Sequence, residues 1–486
     1  MVGRMGTLTF LIPDSITPTA RRCLEQANLA GRYDVAPVPT RRWVDPVKLI
    51  LAKEASESGC LVVPWPLVSQ GCPVITSSTL RESTAPYYLA TELARGKLNQ
   101  VRNQITEWES IGLELAADDR KALADAVRNF GRSVVDPAGA ESAVLAEGVL
   151  GTAADLGEKV TRQFAEQLLS TRFAEEGRLR TELGCRIASV PPPTSQAAFF
   201  EAFKTVRLVP NWCEIEPSEA HYNWTAFDGL VAWAIDAGLT VSVGPLMDFA
   251  HGPFPKWLRR WEGDLPSLAA FACDFIETVI NRYRGRVRSW QVFSGFNHVD
   301  AHGLNEDDRL RLAARLLDAA RQADPNGLWT VGLAQPWGDY LVSEDHTYSP
   351  IVFADTLLRA GYSLAALELE LLCGTSPRAS WPRDSLDTFH LLDLFCSLNV
   401  PLEVTVGADM QYGQSSAHNG THACPPEWAG TAAVLAASLP NVGRVFWEGW
   451  SDADGPRLPG VSLSGETDPR NGMTRLFHEM RRLFLA

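Results

Sequence analysis

Ala365-Ala366-Leu367-Glu368-Leu369-Glu370-Leu371-Leu372 is the stretch that decides the fold. Successive side chains of a strand point to opposite faces. A strand here therefore sets Leu367, Leu369 and Leu371 on one side and Glu368 and Glu370 on the other. In a parallel barrel the apolar side packs against helices, so both glutamates are expected to point into the barrel, with Glu370 nearer its C-terminal rim. A carboxylate in that position needs a partner, a hydrogen bond or a proton.

Working outward, seven more short β-like runs recur: Gly184–Ser189, Thr205–Val209, Leu239–Val243, Val287–Phe293, Trp329–Leu333, Pro401–Val406 and Val442–Trp447. Amphipathic helices are expected between most of them, at Trp224–Ala237, Leu265–Arg284, Asp307–Ala323 and Ser385–Leu398. Eight strands alternating with helices predict an α/β architecture, a C-terminal (β/α)8 TIM barrel over residues 182–486. Chemistry in that fold sits where strand C-termini meet the following loops. Before the barrel, residues 1–85 carry short apolar runs cut by Gly, Pro and Ser and predict a small β-rich unit. Residues 86–181 carry helical stripes, the longest running through Leu145, Val149, Leu156, Val160, Phe164, Leu168 and Phe173, and predict a helical hairpin or small bundle.

Bulk properties narrow the partners. A net charge of −14 gives no basic footprint for phosphates, so neither nucleic acid nor an anionic membrane is expected as a partner. A neutral sugar is not disfavoured. No run approaches the ~20 apolar residues of a membrane helix. The N-terminal apolar run, Leu8–Ile12, is too short for a signal-peptide core. The nine cysteines are scattered, odd in number and without a CxxC, so reduced thiols in a cytoplasm are expected. No dinucleotide fingerprint, phosphate loop or nucleophile elbow is present, and no cofactor is expected.

Several motifs carry a family resemblance. Trp212-Cys213-Glu214-Ile215-Glu216-Pro217 leads into Tyr222-Asn223-Trp224 and Phe227-Asp228. Gly244-Pro245-Leu246-Met247-Asp248-Phe249 is followed by Phe254-Pro255-Lys256-Trp257-Leu258. Arg282-Tyr283 precedes Val287-Arg288-Ser289-Trp290, and Trp447-Glu448-Gly449-Trp450-Ser451-Asp452 closes the series. In order and spacing these resemble glycoside hydrolase family 10, the xylanase-like TIM barrels, over roughly residues 183–486. The resemblance implies cleavage of O-glycosidic bonds in xylan- or β-glycan-type oligosaccharides. It also implies that the family's catalytic positions are replaced. Gly295 stands at the acid/base position, Val406 at the nucleophile position and Gly244 at the third-strand histidine.

Glycoside hydrolysis needs two carboxyl groups flanking the scissile bond. Glu370 and Asp248 end strands three apart, the family's geometry rotated by one strand, and are the expected catalytic pair. Glu448 is the alternative second acid. Asn297, Asp409 and Asp452 are candidate sugar-binding polar groups, and Trp257, Trp337, Trp447 and Trp450 candidate stacking platforms. His298 with His302, and His418, His422 with Cys424, have zinc-like spacings, but the surrounding loops argue against a metal. Two other readings stay open: a catalytically inactive carbohydrate-binding protein, and a lyase or isomerase on the same barrel.

Overall fold

The computed structural model describes residues 6–31, 34, 36–177, 179–249, 254–298, 303–343, 346–374, 379–408 and 428–450. Eight parallel strands close into a barrel. In order they are Glu182–Ile187, Thr205–Leu208, Thr240–Val243, Ser289–Ser294, Leu328–Leu333, Ala366–Cys373, Leu402–Ala408 and Val442–Glu448. Closure is direct, with Val445 paired to Leu183 and Trp447 to Cys185. The third strand breaks at a cis Gly244–Pro245 peptide and resumes as Met247–Asp248, which pairs with Phe293–Ser294.

Helices fill the crossovers, and local chemistry marks their ends. The Asn305 side chain accepts from the Asp308 amide at 2.9 Å to start the helix Glu306–Ala323. Glu306, Asp307 and Asp308 then complement the positive end of its dipole. Asp384 caps Ser385–Cys396 in the same way, 2.9 Å from the Asp387 amide.

The alternation in the sixth strand holds. Leu367, Leu369 and Leu371 join the apolar core under the helices, while Glu368 and Glu370 meet arginines of the second and first strands. Those strands lie across the cylinder, so the contacts run through its interior. Barrel interiors are usually filled by Val, Ile and Leu; this one is filled largely by charged and hydroxyl-bearing side chains.

Ahead of the barrel lie two four-stranded sheets. One runs in the order Arg41–Val44, Lys48–Lys53, Gly6–Leu11, Tyr87–Tyr88, and the other Pro37–Val38, Asn28–Ala30, Cys60–Pro64, Val74–Thr76. Three helices follow, Leu89–Ser110, Ala117–Ser133 and Ala140–Glu176. The last has 37 residues, a length of roughly 55 Å at 1.5 Å per residue. Its first half packs Val149 and Leu150 against Leu8, Phe10 and Leu93 in the core of the β unit. Its second half carries Phe164 into the barrel's core, where Trp108 stacks on it at 4.3 Å and Phe389 meets Trp108 edge-on at 5.1 Å. One helix therefore ties the two cores together.

The β unit also touches the C-terminal rim of the barrel. The Val74 amide donates to the Pro382 carbonyl at 2.8 Å, in the segment after the sixth strand. Ala36 packs on Tyr340 and Leu341 after the fifth. One expectation is corrected: Cys373, the last residue of the sixth strand, is disulfide-bonded, while seven other cysteines are free thiols. Bridging depends on approach in space, which spacing along the chain does not reveal. Among the described residues no helix is long and apolar enough to cross a membrane.

Candidate active site

Arg186 organises the rim end of the barrel interior. It alternates inward between Cys185 and Ile187 in the first strand, and its side chain is 1% exposed. One guanidinium nitrogen, Nη1, lies 3.3 Å from Glu370 Oε1 and 3.2 Å from Glu448 Oε2. Glu370, wholly buried, also accepts from the Ser294 hydroxyl at 2.7 Å. Asp248 is buried beside Ser294 and lies within the field of Arg186. Burial alone would push the Arg186 guanidinium down, but Glu448, Glu368 and Asp248 hold it above its ordinary value. Two of its nitrogens, Nε and Nη2, make no hydrogen bond among the described residues. Buried donors of that kind are normally filled by water or a ligand.

Deeper in the barrel the polar groups are more evenly matched. Arg207 lies 2.6 Å from Glu368 and also pairs with Glu403. Arg444 reaches Glu403 at 3.1 Å and Glu182 at 3.0 Å. Gln291 and Thr405 both donate to Glu368, and the Arg207 guanidinium sits 4.2 Å over the Phe446 ring.

All three acids singled out in the sequence, Asp248, Glu370 and Glu448, thus gather around one arginine. The other candidates are scattered. Trp447 is wholly buried in the helix-facing core, because strand alternation that turns Glu448 inward turns its neighbour outward. Trp450 is buried too, meeting Phe199 edge-on at 5.2 Å and donating to Ser195 at 3.0 Å. Trp257 donates to the Glu216 carbonyl at 3.1 Å and packs edge-on against Phe271. Trp447 and Trp450, both buried, present no open face at the mouth, while Trp257 is half-buried. Asn297 bridges the fourth and fifth strand ends, with both amide atoms bonded to the main chain of Ala334 at 2.7 and 3.2 Å. That makes it a brace rather than a free hydroxyl reader. Trp337 lines a cavity that contains none of the three acids.

Asp409 and Asp452 lie outside the described residues, as do His302, His418, His422 and Cys424. His298 packs its ring 5.2 Å from that of Tyr340. No group of three or more His, Cys, Asp or Glu among the described residues is placed to hold a metal. Arg186 and Arg207 are the functional-looking residues that the sequence reading missed. The same alternation that flags Glu368 and Glu370 flags them, each an arginine between apolar neighbours in a strand.

A family model, Glycosyl hydrolase family 10, matches residues 208–307. The barrel resembles that family. Endo-1,4-beta-xylanase A of Fusarium oxysporum f. sp. lycopersici is 29% identical over 100 residues, covering 21% of this chain and 28% of the relative. Endo-1,4-beta-xylanase 3 of Hypocrea jecorina is 29% identical over 126 residues, covering 24% of this chain and 33% of the relative. The chain thus spans a third or less of the length of these curated relatives. Among solved structures, xylanase 10B from Thermotoga maritima aligns with a TM-score of 0.45 at 16% identity, over 65% of this chain and 98% of that one. Cellvibrio japonicus xylanase10C in complex with xylopentaose aligns at 0.44 and 16%, over 58% and 62%.

At Gly244 and Gly295, two positions that the sequence resemblance implies are replaced, the backbone itself calls for glycine. Gly244 has φ 140°, and a Cβ there would collide with the main chain of Gln291. Gly295 has φ 76°, in the left-handed region where a side chain is strained. A histidine or glutamate fits neither place without a change of backbone.

Proposed function

We propose that the barrel is a glycoside hydrolase acting on neutral β-linked oligosaccharides of the xylan type, with Glu370 and Glu448 as its carboxyl pair and Asp248 as a third acid beside them. The observation that carries this reading is the shared contact with Arg186 Nη1, at 3.3 Å from Glu370 and 3.2 Å from Glu448. Contact with one atom holds the two facing oxygens no farther apart than the roughly 6.5 Å at which inverting pairs begin. That spacing suits a retaining mechanism. One group, as carboxylate, attacks the anomeric carbon while the other, as carboxylic acid, gives its proton to the leaving oxygen; the second group then takes a proton from the water that displaces the sugar from the first, which restores both. The family-10 likeness supports the bond type, and the three acids gathered at the rim support a neutral rather than an anionic sugar.

The test is turnover of xylo-oligosaccharides and aryl β-xylosides, with the anomer of the first product read by NMR. Retention is expected, with a loss of about a hundredfold or more in kcat for Glu370→Gln, as for removal of an acid/base or nucleophile group. Inversion would remove the pair. A second reading, binding without cleavage, is favoured by one observation. Glu370 is wholly buried and bonded to both Arg186 and Ser294, as a purely structural acid would be. Sugar binding without turnover, unchanged in Glu370→Gln, would establish that reading instead.

A further inference from the structure

A second cavity, of about 680 Å³, lies where the β unit and the first long helix meet the barrel. That volume is within the range of small-molecule sites, roughly 300–1,000 Å³. Its barrel wall includes Trp337, Arg383, Asp387 and His390; Gln100 and Asn103 of the helix Leu89–Ser110 face them, beside Thr76–Thr79. Asp248, Glu370 and Glu448 take no part in it.

The chemistry of this wall is selective. Trp337 is half-buried, and its indole N–H is buried without a hydrogen-bond partner among the described residues. An indole N–H left dry and unbonded is costly, and a ligand oxygen satisfies it. The cations nearby are already engaged. Arg383 is bonded to Asp339 at 2.6 Å and to the Trp381 carbonyl at 2.9 Å. His390 is held by Gln104 at 2.6 Å and Gln100 at 3.3 Å, and burial pushes its imidazole below the ordinary value. Gln100 is bonded to Asp387 and accepts from Lys97 at 2.7 Å, and Arg383 lies 5.6 Å over one face of Trp337. What remains is the other indole face, an unused donor and the exposed Asn103 amide, with no unpaired cation among the described residues that line the cavity. Asp34, Asp387 and Asp393 all line the cavity and repel an anion. A pyranose ring is accommodated: its C–H face stacks on indole and its hydroxyls bond to amides and carboxylates.

We propose that this seam cavity is an accessory binding site for a short neutral oligosaccharide, with Trp337 as its stacking platform. It gives the N-terminal part a role, because the ligand is held between the helix Leu89–Ser110 and the barrel. The inference does not depend on cleavage at the barrel mouth.

Calorimetric titration of the full chain with xylotriose, cellotriose and maltotriose tests it, using Trp337→Ala and Asn103→Trp. Asn103 is exposed on its helix, so a tryptophan there narrows the cavity without entering the core. Each variant is expected to weaken one binding event by about tenfold, the worth of an aromatic contact. Glu370→Gln is expected to leave that event within about twofold, whatever it does to turnover. Asn103→Trp, conversely, leaves aryl-xyloside turnover unchanged. Wild-type binding in both seam variants, no trisaccharide binding at all, or displacement of the sugar by the amine spermidine would each overturn the proposal. Loss of turnover with the seam event intact would bear only on the barrel mouth.

Discussion

The two ends of the barrel interior are built from the same residue types and balance them differently. Toward the N-terminal end, Arg207 and Arg444 answer Glu368, Glu403 and Glu182, and hydroxyl and amide groups bond to the same carboxylates. At the rim Arg186 meets Glu370, Glu448 and the field of Asp248, and among the described residues two of its nitrogens make no hydrogen bond. Buried ion pairs contribute little net stability against hydrophobic packing, but half of one left behind is strongly destabilising. A matched cluster is therefore what a structural interior requires. A guanidinium shared between two carboxylates and keeping unfilled donors is what a site for chemistry retains, at some cost in stability.

Breaking the matched end is expected to have the largest effect. Arg207→Met strands Glu368 in the interior without a cation, while Glu403 keeps Arg444, and is expected to cost about 3–5 kcal/mol in urea unfolding. Glu368→Gln comes next. It weakens the ion pair to Arg207 and disturbs the bonds from Gln291 and Thr405, at a cost of about 2 kcal/mol. Glu370→Gln sharpens the comparison, because it removes one of the two carboxylates that share Arg186 and leaves the other in place. Its stability is expected to stay within about 1 kcal/mol of wild type while activity falls. Equal losses for the two glutamines would erase the distinction between the ends.

The smallest expected effect lies at the seam. Folding disfavours the charged form of His390, its pKa lowered chiefly by burial, whereas the unfolded chain takes up a proton below about pH 6.5. This group therefore adds stability above that pH and loses it as the pH falls toward the folded value. His390→Gln is expected to flatten the decline. Glu158 and Asp384, both raised first by burial, act with the opposite sign, but they are present in both proteins and cancel in the difference. Unfolding curves measured across pH 5–7 check this; an unchanged slope in the variant would show that His390 takes no part in it.

Much of the barrel was legible in the sequence because strand alternation is strict. Leu367 to Leu371 gave both the strand and its two faces, and each of the seven other runs overlaps an observed strand. Alternation carried further would have found Arg186 and Arg207 and would have turned Trp447 away from the mouth. Proximity to a strand end was the weaker guide. Trp450, Trp257 and Asn297 were not legible, because their partners Phe199, Phe271 and Ala334 come from elsewhere in the chain. The docking of the N-terminal part was hidden for the same reason. Lys97 and Asp384, a buried pair joining the first long helix to the barrel, are far apart in sequence and unremarkable in their local patterns.

Glu448 offers the most direct test, since it is the acid that meets Glu370 across Arg186. Steady-state turnover of an aryl β-xyloside by wild type and by Glu448→Gln, at matched folded protein, measures what the pair does. The account predicts measurable wild-type turnover and a loss of about a hundredfold or more in the variant. Turnover that survives Glu448→Gln at the wild-type rate would contradict it.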